Sequence, residues 1–577
     1  MKHLLLSFSF LLTLQATAQT TFCPNDPPKN PFLADSPWPT YHRNNYAQAS
    51  TCIPGPLPGD SLRIYAKTEI EGGTSPWVYL TEKYATGERA LLYSNSTHVF
   101  KLIDNGNEIV TADSQRIDFD PVSSFGWNFL LAKNKVWFTY DPKYDPVRNR
   151  YTRLFKLTDA DTTDPYSDIV VLDTFSFETL GINRVQSYNL SYEGNIVFGS
   201  EADEDSGFAT VGILTQDFQV LDTLRYATSP GEIVHHNTFP VDENNSFYIV
   251  TTTRMIKFGW DGTDLSKEWE AAYDFINDGP RGSFAEGSGT TPTLMGWGAG
   301  NDQLIVVADG HRRNNLVAFW RELPLGWTPR PGMDPHFADS IKIPLAIAAN
   351  NIFQSIENSP TVRGYELAIA QFNGFLGYDC NNSKGVQKLV WDTTANEFEV
   401  AWTQAFINMN GVLTYSEGAG ILYGSGKEAD CNYYYYGLDW ETGDIELRLL
   451  LGPEGTFLDD PFYDAGNNNI LDEEGNIYFP GGASLVKVEI VQRSTSLIEP
   501  SEKERTTIFP NPVRSHFYLP QKVQGIRSLS ATDPSGRKFL LEFGPNNRVE
   551  AHQLPTGVYF LHVETDHGWD HVSFMKE

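Results

Sequence analysis

Asn476-Ile477-Tyr478-Phe479 is a short apolar run entered from a turn, and runs of the same kind stand at seven earlier places. They are Ala90-Leu91-Leu92-Tyr93, Lys135-Val136-Trp137-Phe138, Asn195-Ile196-Val197-Phe198, Ser246-Phe247-Tyr248-Ile249-Val250, Gln303-Leu304-Ile305-Val306-Val307, Glu366-Leu367-Ala368-Ile369-Ala370 and Gly420-Ile421-Leu422-Tyr423. Each has an entry strand and a Gly/Asn/Asp turn before it, and a turn and a strand ending near an aromatic after it. Successive runs start 45 to 63 residues apart. A four-stranded propeller blade takes about 40–50 residues, and rings hold about 4–8 blades. Almost no helical periodicity interrupts the pattern between Pro24 and Arg493. The expected fold is therefore all-β, an eight-bladed β-propeller followed by a small C-terminal β-sandwich. Seven blades is the competing count, because the first units are the least regular, and an open array of sandwiches is the rival architecture. Closure favours the ring: each blade buries its two faces only against neighbours, and a circle leaves no unpaired end.

Composition narrows the function classes. The 577 residues carry a formal charge of −30 and are 13% aromatic. Such a chain has ample apolar surface to bury. Its acidity argues against a nucleic-acid partner, which needs basic surface to displace counterions from phosphate. It argues equally against docking on anionic lipid.

The N-terminus reads Met1-Lys2-His3, an apolar run from Leu4 to Leu14, then Ala16-Thr17-Ala18. That is the pattern of a secretory signal peptide over residues 1–18. The run is shorter than the ~20 residues a membrane helix needs, and no later stretch reaches that length, so no transmembrane segment is expected. Cys23, Cys52, Cys380 and Cys431 are an even set in an exported chain, for which disulfides are the default. Nearness along the chain favours Cys23–Cys52 and Cys380–Cys431 among three connectivities. No Cys-x-x-Cys is present, which excludes zinc ribbons and thioredoxin-like redox work. The domain reading is a lead-in segment at 19–60, the propeller at 61–493, a polar linker at 494–507 and a last module at 508–577.

That last module opens with Phe509-Pro510-Asn511-Pro512, passes Asp533-Pro534-Ser535-Gly536 and reaches Leu554-Pro555-Thr556-Gly557-Val558-Tyr559 before a basic residue near the end. This ordered set resembles the C-terminal sorting domain of the type IX secretion system, with Pro510, Asn511, Pro512, Leu554, Gly557 and Tyr559 as its motif residues. The resemblance implies export across the outer membrane, the type IX machinery as a partner, and release or attachment at the cell surface.

The propeller carries a second resemblance. Leu438-Asp439-Trp440-Glu441-Thr442-Gly443 joins two strands, Asp261 is followed by Trp269, and Asp392 by Trp402. These units resemble the pyrroloquinoline-quinone-type (quinoprotein) repeat, in which an Asp/Thr turn and a Trp lock one blade onto the next. Trp38-Pro39-Thr40-Tyr41-His42-Arg43-Asn44-Asn45 is similar to the lead-in that many of those propellers carry. One unit has Thr-Gly in place, and it has Leu447 where Trp is expected. Quinone dehydrogenases of this kind often hold two adjacent cysteines over the cofactor. No Cys-Cys pair exists in this sequence, which argues against a quinone cofactor here.

Propeller ligands sit at a mouth of the central channel, so polar residues at the entry to each unit are the site candidates. They are His235, His236, Asn237, Glu286, Thr290, Glu357, Asn358 and Asn408. Converging histidines and carboxylates can hold a divalent cation such as calcium or act as an acid–base pair; adjacent histidines on a strand face opposite ways, so at most one of His235 and His236 points inward. A polar lining around ordered water is the competing account. His311, Arg312 and Arg313, basic in an acidic chain, are rim candidates for an anionic or sugar ligand or else a solvated hairpin. The run Tyr433–Tyr436 is expected to alternate, half core and half exposed. No Gly-x-Ser-x-Gly elbow, Walker loop or His-Glu-x-x-His is present. The functional expectation is a secreted or cell-surface propeller that binds a ligand, an extracellular polymer or small molecule, or serves as a scaffold. The alternative is an extracellular enzyme on the same ring, either a quinone-dependent dehydrogenase or a metal-assisted lyase or hydrolase.

Overall fold

The computed structural model describes residues 23, 25–67, 77–94, 98–116, 128–141, 152–203, 206–234, 238–273, 287–310, 314–343, 356, 358–371, 385–404, 408–428, 430–453, 469–481, 484–494, 513–519, 526–533, 537–542, 544, 548–565 and 568–576. It is an eight-bladed β-propeller with a separate C-terminal β module. Blade one runs from axis to rim as Val78–Leu80, Ala90–Ser94, His98–Asp104 and Ile109–Arg116, each strand antiparallel to the next. Blades two, three, five, six and seven repeat this order, with second strands Val136–Asp141, Ile196–Ser200, Leu304–Ala308, Glu366–Ala370 and Ile421–Lys427. Blade four has three strands, Phe247–Val250, Arg254–Trp260 and Leu265–Ala272, and among the described residues its axial side is paired by bridges from Val241 to Phe247 and from Val234 to Thr251.

Blade eight closes the ring. Its inner strands Ile470–Leu471, Ile477–Pro480 and Leu485–Gln492 come from the end of the propeller, and its rim strand Ser61–Lys67 comes from the beginning. The pairing runs from Ser61 opposite Gln492 to Lys67 opposite Leu485. Burial follows the geometry. Second strands such as Ala90–Ser94 and Ile196–Ser200 are buried throughout because blades cover both faces. Rim strands such as Ile109–Arg116 alternate toward solvent.

Three kinds of contact hold blade to blade. The indoles of Trp260 and Trp391 donate to Glu193 (3.1 Å) and Asp302 (2.8 Å) on the first hairpin of the preceding blade, and Trp440 donates in the same way to Glu366. Lysines on third strands reach a carboxylate on the following blade: Lys101 to Asp159 (2.6 Å), Lys156 to Asp217 (2.7 Å), Lys257 to Glu322 (2.5 Å), Lys388 to Glu441 (3.3 Å) and Lys487 to Asp104 (2.5 Å). The last of these spans the closure between blades eight and one. At the rim, Asp113, Asp222 and Asp339 accept the backbone N–H of Ile169, Leu265 and Phe398, each on the next blade's outer strand.

The Asp-led turns form as their chemistry demands. Asp261 Oδ1 accepts from the amides of Thr263 and Asp264, Asp392 Oδ1 from Thr394 and Ala395, and Asp439 Oδ1 from Thr442. Trp402 of blade six lies on the turn of blade seven: its indole donates to Trp440 O at 2.8 Å, and a Cβ on Gly443 would stand 2.6 Å from its ring. Glycine is required there twice over, since Gly443 also has φ +74°.

The tyrosine run differs from the expected alternation. All four of Tyr433–Tyr436 are buried, because one face meets blade six and the other blade eight. Tyr434 and Tyr436 point their hydroxyls at Asp430 and Glu428, both at 2.7 Å.

In the C-terminal module, His516–Tyr518 pairs with Arg548–Glu550, and Lys538–Leu540, Ile526–Thr532, Gly557–Thr565 and Gly568–Lys576 form a second sheet. One apolar cluster, including Val513, Phe517, Leu529, Leu554, Tyr559 and Leu561, lies between them. Among the described residues no helix is long and apolar enough to cross a membrane.

Candidate functional site

The axis is occupied by the chain's own lead-in. Inner strands have an unpaired edge, and their N–H groups need acceptors. Residues 38–49 supply them. Leu80 N–H donates to Trp38 O (3.3 Å), Leu131 to Pro39 O (2.9 Å), Val241 to Asn45 O (2.9 Å), Leu294 to Tyr46 O (2.9 Å), Val362 to Gln48 O (2.9 Å) and Tyr415 to Ala49 O (3.1 Å). Those donors belong to blades one, two, four, five, six and seven. Blade three is met through Leu190 O, which accepts from Asn30 and Asn45 side chains, and blade eight through Arg493, which donates to Pro54 O and Gly55 O. Ser50–Thr51 extends the sheet of blade seven in parallel. The segment thus touches every blade and plugs the end of the axis where inner strands finish.

Two charged sockets seat the plug. Tyr46 packs under the fully buried Arg321 guanidinium, 5.0 Å from ring to cation, and donates to Glu243. Arg321 also lies 3.7 Å from Asp242, which accepts from Tyr248 at 2.7 Å. Burial pushes Asp242 above the usual carboxylate range even beside Arg321. At blades six and seven Asp26 sits between Arg43 (2.5 Å) and Arg363 (2.6 Å), and Arg363 continues to Glu417. Burial opposes the Asp26 charge, but the two guanidiniums win and hold its carboxyl below the ordinary value. The Cys23–Cys52 disulfide ties the two ends of the plug.

On the other side of the plug, toward the mouth where inner strands begin, lie Tyr41 and His42. The Tyr41 ring stands 3.6 Å from His42 and 4.4 Å from Trp77 of blade one, and its hydroxyl faces Thr291. His42 is fully buried, and neither ring nitrogen has a hydrogen-bond partner. Burial holds its pKa far below that of free imidazole, so the ring is neutral. A cavity of about 10 Å³, room for roughly one water, lies between blades three and four, lined by Gln186, Ser187, Thr238 and Pro292 among others. Tyr41 and Trp77 thus form an aromatic pair on this side of the plug.

Of the residues picked from sequence, His235, His236, Asn237, Glu286 and Glu357 fall outside the described residues, as do the rim candidates His311, Arg312 and Arg313. Thr290 is buried and accepts the Ala308 amide of its own blade at 3.0 Å. Asn358 is buried and donates to Gln371 O at 3.4 Å. Both spend these polar groups inside their own blades. Asn408 starts the inner strand of blade seven, opposite Lys427. Cys431 is disulfide-bonded, and Cys380 lies outside the described residues. So do residues 1–22 and Pro510, Asn511 and Pro512 of the sorting motif; Leu554 and Tyr559 are buried in the C-terminal core, and Gly557 begins a strand.

Among the described residues no three of His, Cys, Asp and Glu converge to hold a metal. Hydroxyls, amides and one neutral imidazole do not make the carboxylate cage that calcium takes. The histidine and carboxylate candidates for a cation lie outside the described residues, and no chemical step is derived through a quinone or calcium. Sequence reading missed Tyr41, His42, Tyr46, Arg321 and Arg363. A signal existed for the two arginines: each stands alone at the end of an apolar strand, where an unpaired charge is costly.

Residues 507–574 match the family model of the secretion system C-terminal sorting domain. Such a tail marks the chain for export, to the cell surface or beyond it. An uncharacterized protein of Archaeoglobus fulgidus is 24% identical over 461 residues, which is 74% of this chain and 83% of its own length. Solved structures with a similar ring include a europium-containing methanol dehydrogenase (TM-score 0.49, 10% identity, 78% of this chain and 97% of that one). The periplasmic gluconolactonase PpgL of Pseudomonas aeruginosa (TM-score 0.39, 10% identity, 70% and 99%) and Sqt1 of Saccharomyces cerevisiae (TM-score 0.42, 10% identity, 76% and 100%) are further examples. What this chain is similar to at its end is a secretion system C-terminal sorting domain.

Proposed function

We propose that this protein is an exported binding module: a propeller that leaves the cell through the type IX machinery and presents a ligand surface outside it. The observation that carries the reading is the plug. One end of the axis is filled by residues 38–55, and the joints between blades fix the ring as a rigid platform. The mouth that remains has Tyr41 and Trp77 at its floor, aromatic and uncharged. Such a floor suits the apolar face of a sugar ring or another flat neutral group. An extracellular polysaccharide or a small neutral ligand is the expected occupant.

The experiment is calorimetry of the purified chain with soluble oligosaccharides of several backbones, repeated with Trp77→Ala. Saturable binding that falls at least tenfold in Trp77→Ala, with the ring still folded by circular dichroism, supports the reading. Reduction of a dye by alcohols or sugars after adding pyrroloquinoline quinone and calcium would instead establish the enzyme. No binding to any probe, or equal binding by the variant, removes the axial mouth as the site. For the export half, a chain ending before Ile508 should stay in the periplasm of its host, while the full chain appears outside.

A further inference from the structure

We propose that residues 23–52 form a latched strap: the Cys23–Cys52 disulfide holds a strained segment in the axis, and reducing that bond frees the segment while the ring stays closed. The costs of the plug are concentrated between the two cysteines. His42, Arg43, Ala47 and Ala49 all sit in the left-handed region, at φ 53°, 77°, 59° and 51°. Side chains with a Cβ occupy that region at a cost, and they persist there only when the surroundings hold them. His42 adds two buried nitrogens without partners, and Asn45 adds its Oδ1. Each such atom has given up water and received nothing in return.

The ring's own joints do not pass through this segment. Ser61–Lys67 pairs with Leu485–Gln492, Lys487 meets Asp104, and the indoles of Trp260, Trp391 and Trp440 meet neighbouring hairpins, all outside residues 23–52. Strap and ring are therefore separable in energy. The disulfide closes the strap where Arg43 already gathers Asp26 and Ser50 O, so the latch and this salt-bridged neck act at the same place. Releasing the strap would uncover the inward N–H groups of Leu80, Leu131, Val241, Leu294, Val362 and Tyr415, and with them the whole axis. The chain would then have an axis closed in an oxidising setting and open in a reducing one.

The test is hydrogen exchange on the full chain, read at those six amides and at the amides of Ser61–Lys67. It compares the oxidised protein, the protein in dithiothreitol and the double variant Cys23→Ser/Cys52→Ser. Dithiothreitol supplies two electrons and two protons: the S–S bond breaks, two cysteine thiols form, and the reductant closes to its cyclic disulfide. The double variant leaves the bond at Cys431 alone. Losing a loop closure of ~30 residues should speed exchange at the six amides on the order of a hundredfold. Ser61–Lys67 should keep its protection. Unchanged exchange at the six amides would overturn the proposal, because the blades alone would then hold the strap. Loss of protection in Ser61–Lys67 to the same degree would overturn it too, because strap and ring would then be one cooperative unit.

Discussion

Lys487→Met isolates the charge that closes the ring. Lys487 lies on the third strand of blade eight, Asp104 at the end of the third strand of blade one, and their side chains are 5% and 11% exposed at 2.5 Å. Burial disfavours both charges, yet the pairing holds Asp104 below and Lys487 above their ordinary values. Removing one member of a buried pair strands the other, at about 3–5 kcal/mol. Asp104 keeps the hydroxyls of Tyr478 (2.7 Å) and Tyr65 (3.0 Å) and the Gly106 amide (2.9 Å), which places the loss near the low end, about 3 kcal/mol. Methionine preserves the stem that packs on both phenols, so the loss reports charge and not a cavity. The sign with pH follows from Asp104: its lowered pKa adds stability above the unfolded carboxyl value, and that part is lost as pH falls through it. The gap between wild type and variant should therefore narrow below about pH 4. Guanidinium titrations at pH 7 and pH 3.5 measure it. Lys156→Met is the internal control, because its partner Asp217 is 81% exposed and solvent already screens that pair. An equal midpoint shift in both variants would refute the argument that burial decides the value of these joints.

Three further outcomes follow from the same contacts. Arg321→Met should cost about 3–5 kcal/mol and loosen Tyr46, because it leaves Asp242 buried without its cation; a fluorescence-detected melt together with proteolysis near Tyr46 reads both. Gly443→Ala should cost more than 1 kcal/mol, since the new methyl group meets both the Trp402 ring and a φ of +74°, and the loss should largely vanish in a Trp402→Leu background if the clash dominates. Asp472 is pushed up to about 7 by burial, so its folded form holds a proton that the unfolded chain gives up near pH 4. That contribution is fully present below the unfolded value and fades as pH rises through 7; Asp472→Asn should flatten the stability profile between pH 5 and 8.

The eight second strands could be read from the sequence because each is buried on both faces by neighbouring blades. A strand in that position is mostly apolar on both faces, so Ile196-Val197-Phe198 and Ile477-Tyr478-Phe479 stand out against any turn. Inner strands left a weaker mark: Val78–Leu80 and Thr361–Arg363 are three residues each, and among the described residues blade four shows two isolated bridges there. The plug left none. Its function lies in carbonyl groups, which every residue has, and its side chains from Trp38 to Ser50 follow no period. The interblade lysines were equally silent, because a lysine within a strand ordinarily signals solvent, and only the neighbouring blade shows that Lys101 and Lys257 point into a carboxylate.

Two of the site candidates have described side chains, and both show what polar residues near the axis can be used for. In a ring, polar residues near the axis have two competing uses: they can face a ligand, or they can satisfy the edge that an incomplete sheet presents to the centre. Thr290 and Asn358 went to the second use, and the plug went to it along its whole length. Once six inward N–H groups are satisfied by a resident segment, binding power at the axis depends on what that segment turns toward the open mouth. Under the proposed binding function, the residues left to meet a ligand there are Tyr41 of the lead-in and Trp77 of blade one, since His42 is fully buried.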